Sequence, residues 1–319
     1  MANIKDIARI AGVSVTTVSR VMNNHPYVRE DKRKAVMQAM KQANYHRNIN
    51  AVHLSTGKTN LIGVVVPFIN LPYFGTVIDG IAGEAVKDNY KLVMIQTNYE
   101  EQREIEALEM LKDKQVAALI ICSKMSSWEV VEAYASFGPI AVLEDGRGRK
   151  LSSTYINHYQ CFTDALHYLH QKGHRKIGYC MSRKNGTSSR QREAAYRDFM
   201  KSISEPVNEN YIFYKCLHFE DGEIIVQRMS QMDNPPTALL VTGDQLAAGI
   251  LICCKERGIS VPGDLAIVGF DNQPIAKVLN ITTFELPLAE IGRKLYYQAV
   301  QNKHFHQEIP AIFIERLTV

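Results

Sequence analysis

The chain has 319 residues, 46% of them hydrophobic, and a formal net charge of +4. That size is ample for a buried core and too large for one small domain. No stretch reaches the ~18 apolar residues of a membrane span, and the start, MANIKDIARIAG, lacks the apolar run and cleavage site of a secretory leader, so a cytoplasmic protein with no membrane partner is expected.

The charge is unevenly shared. Residues 1–58 hold ten Lys/Arg against three Asp/Glu, a net +7, while the remainder carries 27 against 30, a net −3. A basic head on a slightly acidic body points to a polyanion partner for the first sixty residues. Within that head, Ile4, Ile7, Ala8 and Ala11 recur at helical spacing, and Gly12 follows where a helix stop tolerates positive φ. Ser14 stands at the N-cap of a second helix that turns Val18, Val21 and Met22 inward. That helix opens on the β-branched run Val15, Thr16, Thr17, Val18, a poor helix former by propensity alone. A third helix, about Glu30 to Asn44, buries Val36, Ala39, Met40 and Ala43. Helix, short turn, helix is the helix-turn-helix arrangement of DNA-binding heads.

Residues 47–59 are polar, without a strong apolar period, and read as a linker between a headpiece at 1–46 and a body at 60–319. In the body, short apolar runs alternate with helix-length segments: LIGVVVPFI (61–69), KLVMIQT (91–97), AALIIC (117–122), IAVLE (140–144), KIGYCM (176–181), ALLVT (238–242) and LAIVGFD (265–271). Continuous apolar runs suit strands buried on both faces of a parallel sheet. About 260 residues is large for one such sheet, so two Rossmann-like lobes facing a cleft are expected, with ligands at the carboxyl ends of strands.

Several motifs are excluded. STGKTN (55–60) has the tail of a phosphate-binding loop, but Val52 stands where the first glycine is needed and no strand precedes it. GRGRK (146–150) reads as a solvated loop. The six cysteines form no C-x-x-C, and no Cys/His set has metal spacing, so they read as small buried hydrophobes and no metal or cofactor is expected. No nucleophile–base pair stands at recognisable spacing, which argues against an enzyme.

IKDIARIAGVSVTTVSRVMNN resembles the headpiece of the LacI/GalR family of bacterial transcription regulators, and IGVVVPFINLPYF (62–74), KGHRKIGYC (172–180), RGISVPGDLAIVGFDN (257–272) and ITTFELPLAEIGR (281–293) resemble the family's effector domain. The resemblance covers essentially the whole chain. It implies a small all-α helix-turn-helix headpiece and an α/β periplasmic-binding-protein-like domain, with a first lobe of about 60–156 plus 285–308 and a second of about 157–284 plus 309–319. It places Val15, Thr16 and Arg20 at base edges in the major groove, where Arg20 offers a fork to guanine O6 and N7 and Val15 only apolar contact. Ser14, Thr17 and Asn23 would hold phosphates. Asn48, Ala51 and Leu54 would belong to a hinge helix in the minor groove, with Leu54 as the wedge. Arg47 replaces the family's usual proline there, and Asn50 a common apolar residue.

For the body, the resemblance assigns Tyr73, Phe74, Glu144, Arg192, Asp244 and Asp271 to effector binding. Arg192 would grip ligand hydroxyls or carboxylates, and Asp271 would accept from sugar hydroxyls. Glu144-Asp145 stands where Asp-Arg is common, and this extra acid disfavours an anionic effector. The implied partners are a double-stranded operator, a second copy of the chain in a homodimer, and a sugar or sugar derivative. No heptad tail that would make a tetramer follows the last motif. A phosphorylated carrier protein docking on the first lobe is an alternative corepressor. A solute-binding or enzymatic α/β protein is the remote alternative, which selective binding to genomic DNA would dispose of.

Overall fold

The computed structural model describes residues 2–45, 59–301 and 304–319. The chain parts into two compact units, 1–58 and 59–319.

In the first unit, α1 (Ile4–Ile10) starts from a reciprocal cap. The Asn3 side chain accepts the Lys5 and Asp6 N–H groups at 2.9 and 3.2 Å, and Asp6 accepts the Asn3 N–H at 3.0 Å. Gly12 ends the turn with φ +64°, a conformation that side chains with a Cβ resist. Helix α2 (Val15–Met22) begins at Ser14, whose hydroxyl accepts the Thr17 N–H at 3.2 Å. Helix α3 (Glu30–Gln42) closes the bundle. Ile7, Ala8, Val18, Val21, Val36 and Ala39 form its buried centre, with Met22, Met40 and Ala43 packed around it. Burial of Val18 and Val21 answers the weak propensity of α2, since packing overrides a penalty of a few tenths of a kcal/mol per residue.

The second unit is built on two parallel sheets. The first has six strands in the order β2–β1–β3–β4–β5–β11: β1 Leu61–Val66, β2 Lys91–Gln96, β3 Ala118–Ile121, β4 Ile140–Val142, β5 Ser152–Ile156 and β11 His306–Ile309. The second has four, in the order β7–β6–β8–β9: β6 Ile177–Met181, β7 Ile212–Tyr214, β8 Ala238–Leu240 and β9 Ala266–Val268. An antiparallel pair, β10 Thr283–Glu285 with β12 Ile312–Ile314, joins the second sheet through bridges at Val268–Thr282 and Asp271–Glu285. The apolar runs at β1, β3, β6 and β8 are buried almost end to end, as expected of central strands, whereas β2 is half-exposed because it lies at the edge. Chain passes between the lobes three times: after β5, between β10 and α12 (Leu288–Val300), and between β11 and β12.

Helix α12 packs on α4 (Pro72–Lys87) beside the first sheet. Gly80 and Gly292 sit at that contact, and a methyl on either would run into the other helix's backbone. The remaining helices are α5 Glu101–Lys112, α6 Trp128–Tyr134, α7 His158–Gln171, α8 Thr187–Ser202, α9 Asp221–Ser230, α10 Asp244–Glu256 and α11 Pro274–Val278. All six cysteines are buried and unpaired. Among the described residues, no helix is long and apolar enough to cross a membrane, and no cluster of His, Cys, Asp and Glu is placed to hold a metal.

Candidate functional site

Two surfaces carry the sequence-derived site residues. The first is the outer face of α2. Val18 and Val21 are buried against α1 and α3, which turns Val15, Thr16 and Arg20 outward together. Val15 is 41% exposed, high for a valine in a packed helix and suited to meeting another surface. Arg20 makes no ion pair among the described residues, so its guanidinium fork is presented to solvent. Ser14 and Thr17 hold each other, hydroxyl to hydroxyl, at 2.9 Å while Ser14 caps the helix. Asn23 is the C-cap of α2. The turn that follows is braced by Arg33, which donates to the Asn24 side chain at 3.3 Å and to the His25 carbonyl at 3.0 Å. Asn48, Ala51 and Leu54, like Arg47 and Asn50, lie outside the described residues.

The second surface is a cavity of about 140 Å³ between the two sheets. Its walls come from the carboxyl ends of strands in both lobes: Tyr99 after β2, Cys122 and Ser123 after β3, Glu144 after β4, His158 after β5, Arg183 after β6, and Phe270 and Asp271 after β9. Tyr73, Phe74, Glu144, Arg192 and Asp271 all line it. Tyr73 and Phe74 meet edge-on, centroids 5.0 Å apart. Arg192 lies over the rings of Phe162 and Phe270, at 5.6 and 5.1 Å, with one amino group 3.1 Å from His158 Nδ1. Burial and the neighbouring Arg192 charge push the His158 imidazole well below its usual range, which keeps it neutral. Asp271 adopts φ +99° and accepts from Gln273 Nε2 at 3.1 Å. Its carboxyl is pushed well above the usual carboxylate range, chiefly by burial and then by Asp244, while Arg192 opposes the shift.

Asp244, which the resemblance also assigns to effector binding, does not line the cavity. It is fully buried at the start of α10, where one carboxylate oxygen accepts the Gln273 N–H and the other the Thr283 hydroxyl, both at 2.7 Å. One oxygen holds the 270–273 loop that presents Asp271 and the other is tied to Thr283 on β10, so its role here is to position. Burial raises its pKa to about 6, against the pull of those two hydrogen bonds.

The sequence reading missed Tyr99, His158, Arg183 and Gln273. Arg183 reaches from the second lobe to the first: it donates to Ser123 Oγ at 3.1 Å and to the Lys124 carbonyl at 3.0 Å, and lies over the Tyr99 ring at 4.6 Å. For Tyr99, Arg183 and Gln273 the available signal was position, since each follows an apolar run within a few residues, whereas His158 follows the polar strand β5 and had no such signal.

Residues 3–48 match the family model for bacterial regulatory proteins of the lacI family, and residues 166–307 match the periplasmic binding protein-like domain. The HTH-type transcriptional regulator YkvZ of Bacillus subtilis is 45% identical over 93% of this chain and 92% of its own. Catabolite control protein B of the same organism is 34% identical over 92% of each chain. The crystal structure of the lac repressor dimer bound to operator and the anti-inducer ONPF is similar in fold, with a TM-score of 0.78 at 24% identity over 99% of this chain and 98% of that one.

Proposed function

Because the chain belongs to the lacI family of bacterial regulatory proteins, it is a DNA-binding transcription regulator and not an enzyme, and we propose that it acts as a homodimeric repressor of carbon metabolism switched by a sugar or sugar derivative. The observation that carries the DNA half of this reading is the face of α2. Its two buried valines fix the helix, and the outward side presents an apolar contact, a hydroxyl and a guanidinium that makes no ion pair among the described residues. A methyl-seeking Val15, a base-bonding Thr16 and a guanine-reading Arg20 are the chemistry of direct readout. Ser14, Thr17 and Asn23 would set register on phosphates. Two heads then require two half-sites related by the dimer axis.

The cavity supplies the control. A volume near 140 Å³ is comparable to one that takes a single six-membered ring, which suits a monosaccharide. Its walls belong to two lobes joined by three passes of chain, so a ligand that touches both lobes favours one lobe angle over another. That differential affinity is the whole of the coupling available to it. The hinge residues Asn48, Ala51 and Leu54 are proposed as the element it biases, through their ordering in the minor groove.

The test is recovery of genomic fragments by the full chain at physiological salt. Enrichment of one pseudo-palindromic sequence is expected, and recovery without sequence preference refutes base reading. A second reading, supported by the likeness to catabolite control protein B, is a phosphorylated carrier protein on the first lobe as corepressor. Operator affinity that rises with such a phosphoprotein, and is indifferent to sugars, would select it.

A further inference from the structure

We propose that Arg183 is a latch that holds the two lobes together through contacts internal to the chain, so that parting the lobes means breaking it; its bearing on control rests on the cavity being the effector site. Arg183 follows β6 in the second lobe, and its hydrogen bonds among the described residues go to the first. One amino nitrogen donates to Ser123 Oγ at 3.1 Å and to the Lys124 carbonyl at 3.0 Å, while the other touches the Met125 sulfur. The guanidinium lies over the Tyr99 ring at 4.6 Å, and Glu144 answers its charge from 3.7 Å.

The receiving side is held by its own lobe. The Lys124 N–H donates to Glu144 at 3.1 Å, and those of Met125 and Ser126 donate to Glu104 at 2.7 and 2.9 Å. Both acids are buried in the first lobe, so the 123–126 loop does not follow Arg183 when the lobes move. Tyr99 is presented at a cost. Asn98 and Tyr99 both stand at positive φ, +52° and +60°, a conformation that persists in such residues only where the surroundings fix it. Phe68 braces the Tyr99 ring edge-on at 5.4 Å and also meets His218 of the second lobe at 5.6 Å. The Arg183 contacts and the Phe68–His218 pair are thus two halves of one bridge between the lobes.

Where this bridge stands in the fold is what makes it a latch. The three passes of chain lie by β5 and β11, at one end of the first sheet, and by β10 and β12, which join β9 at one end of the second. Phe68 and Tyr99 follow β1 and β2 at the opposite end of the first sheet, and Arg183 and His218 follow β6 and β7 at the opposite end of the second. A rotation about the passes therefore separates these contacts more than any beside the passes. Because every partner belongs to the chain, the latch biases the lobe angle before a ligand acts. An effector can change that angle only by the difference between its affinities for latched and parted lobes.

Cys122 serves as the reporter of opening. It lines the cavity and is 3% exposed, and burial pushes its thiol up to about 12, so alkylation waits for the lobes to part. The full-length protein is treated with N-ethylmaleimide, and labelling is followed by peptide mass mapping at Cys122 and at Cys254, which is fully buried in the second lobe's core and does not line the cavity. Losing two charge-assisted hydrogen bonds in Arg183→Ala should speed Cys122 labelling by roughly tenfold or more and leave Cys254 unchanged. Tyr99→Leu should speed it too, whereas Tyr99→Phe, which keeps the ring, should not. A Cys122 rate unchanged in Arg183→Ala, or one that rises in step with Cys254, overturns the latch. Should Arg183→Ala fail to fold, the contrast between Tyr99→Leu and Tyr99→Phe decides alone, with equal rates overturning it. Neither ligand nor operator enters the measurement, so its failure is distinct from failure of the effector reading.

Discussion

Val18→Ala is the sharpest test of how the head is held together. Val18 is fully buried in a centre of only six buried residues within a unit of about 45 described residues. Removing two carbons loses about 1.6 kcal/mol of transfer free energy at ~0.8 kcal/mol each. The cavity left behind adds about 1 kcal/mol, giving roughly 2–3 kcal/mol in all. A unit of this size is stable by about 2–7 kcal/mol at ~0.05–0.15 kcal/mol per residue. The substitution should therefore consume a third or more of that stability. Calorimetry on the full chain should show the head transition falling by at least ~10 °C, given about 4–8 °C per kcal/mol in small domains, while the body transition stays in place. Operator affinity should fall with it, because binding must then refold the head. A head transition moved by less than about 3 °C, or a body transition that moves with it, would refute the reasoning.

Other outcomes follow from single residues. Arg20→Ala should cost about 1–3 kcal/mol of discrimination at one base position, read as a flattened preference in fragment selection; uniform weakening on every sequence would make it a phosphate contact. Gly292→Val should lower the body's unfolding temperature by forcing α12 away from α4, with urea unfolding as the check and an unchanged midpoint as the contrary result. Asp244 has a folded pKa of about 6 against an ordinary 3.8, so its contribution to stability is present below the unfolded value and lost as pH rises between about 4 and 6. Asp244→Asn should make stability fall less, or rise more, across that window than in the parent. Identical pH profiles would mean the carboxyl is not held in its protonated form.

The alternation of strands and helices was legible because central strands must be apolar on both faces, and β1, β3, β6 and β8 are. Strand β5 was not, although it is buried along its whole length. Its sequence, SSTYI, is polar, and burial is possible because its hydroxyls are answered: Ser153 by His306 at 2.8 Å and Thr154 by Gln298 at 3.1 Å. Hydropathy cannot register a polar group whose partner lies 153 residues away. The same limit explains Asp244. Resemblance gave an acid at the right place in the chain, but only the positions of Gln273 and Thr283 reveal that both of its oxygens are consumed. The outward face of α2 was legible because helical periodicity alone decides which side Val18 and Val21 bury.

The pairing of β5 with β11 also orders events during synthesis. Residues 152–156 leave the ribosome about 150 residues ahead of 306–309, and all four strands of the second sheet are made in the interval. Until then β5 stands as an open edge, with unpaired backbone groups along one side. The four-stranded sheet of the second lobe can form as soon as β9 emerges, whereas the first sheet, begun earlier, still waits for β11. A nascent chain halted before residue 306 should thus carry the second lobe's four-stranded sheet, still without β12, and a first sheet still able to pair with a stranger's strand, which makes this the interval most exposed to misassembly.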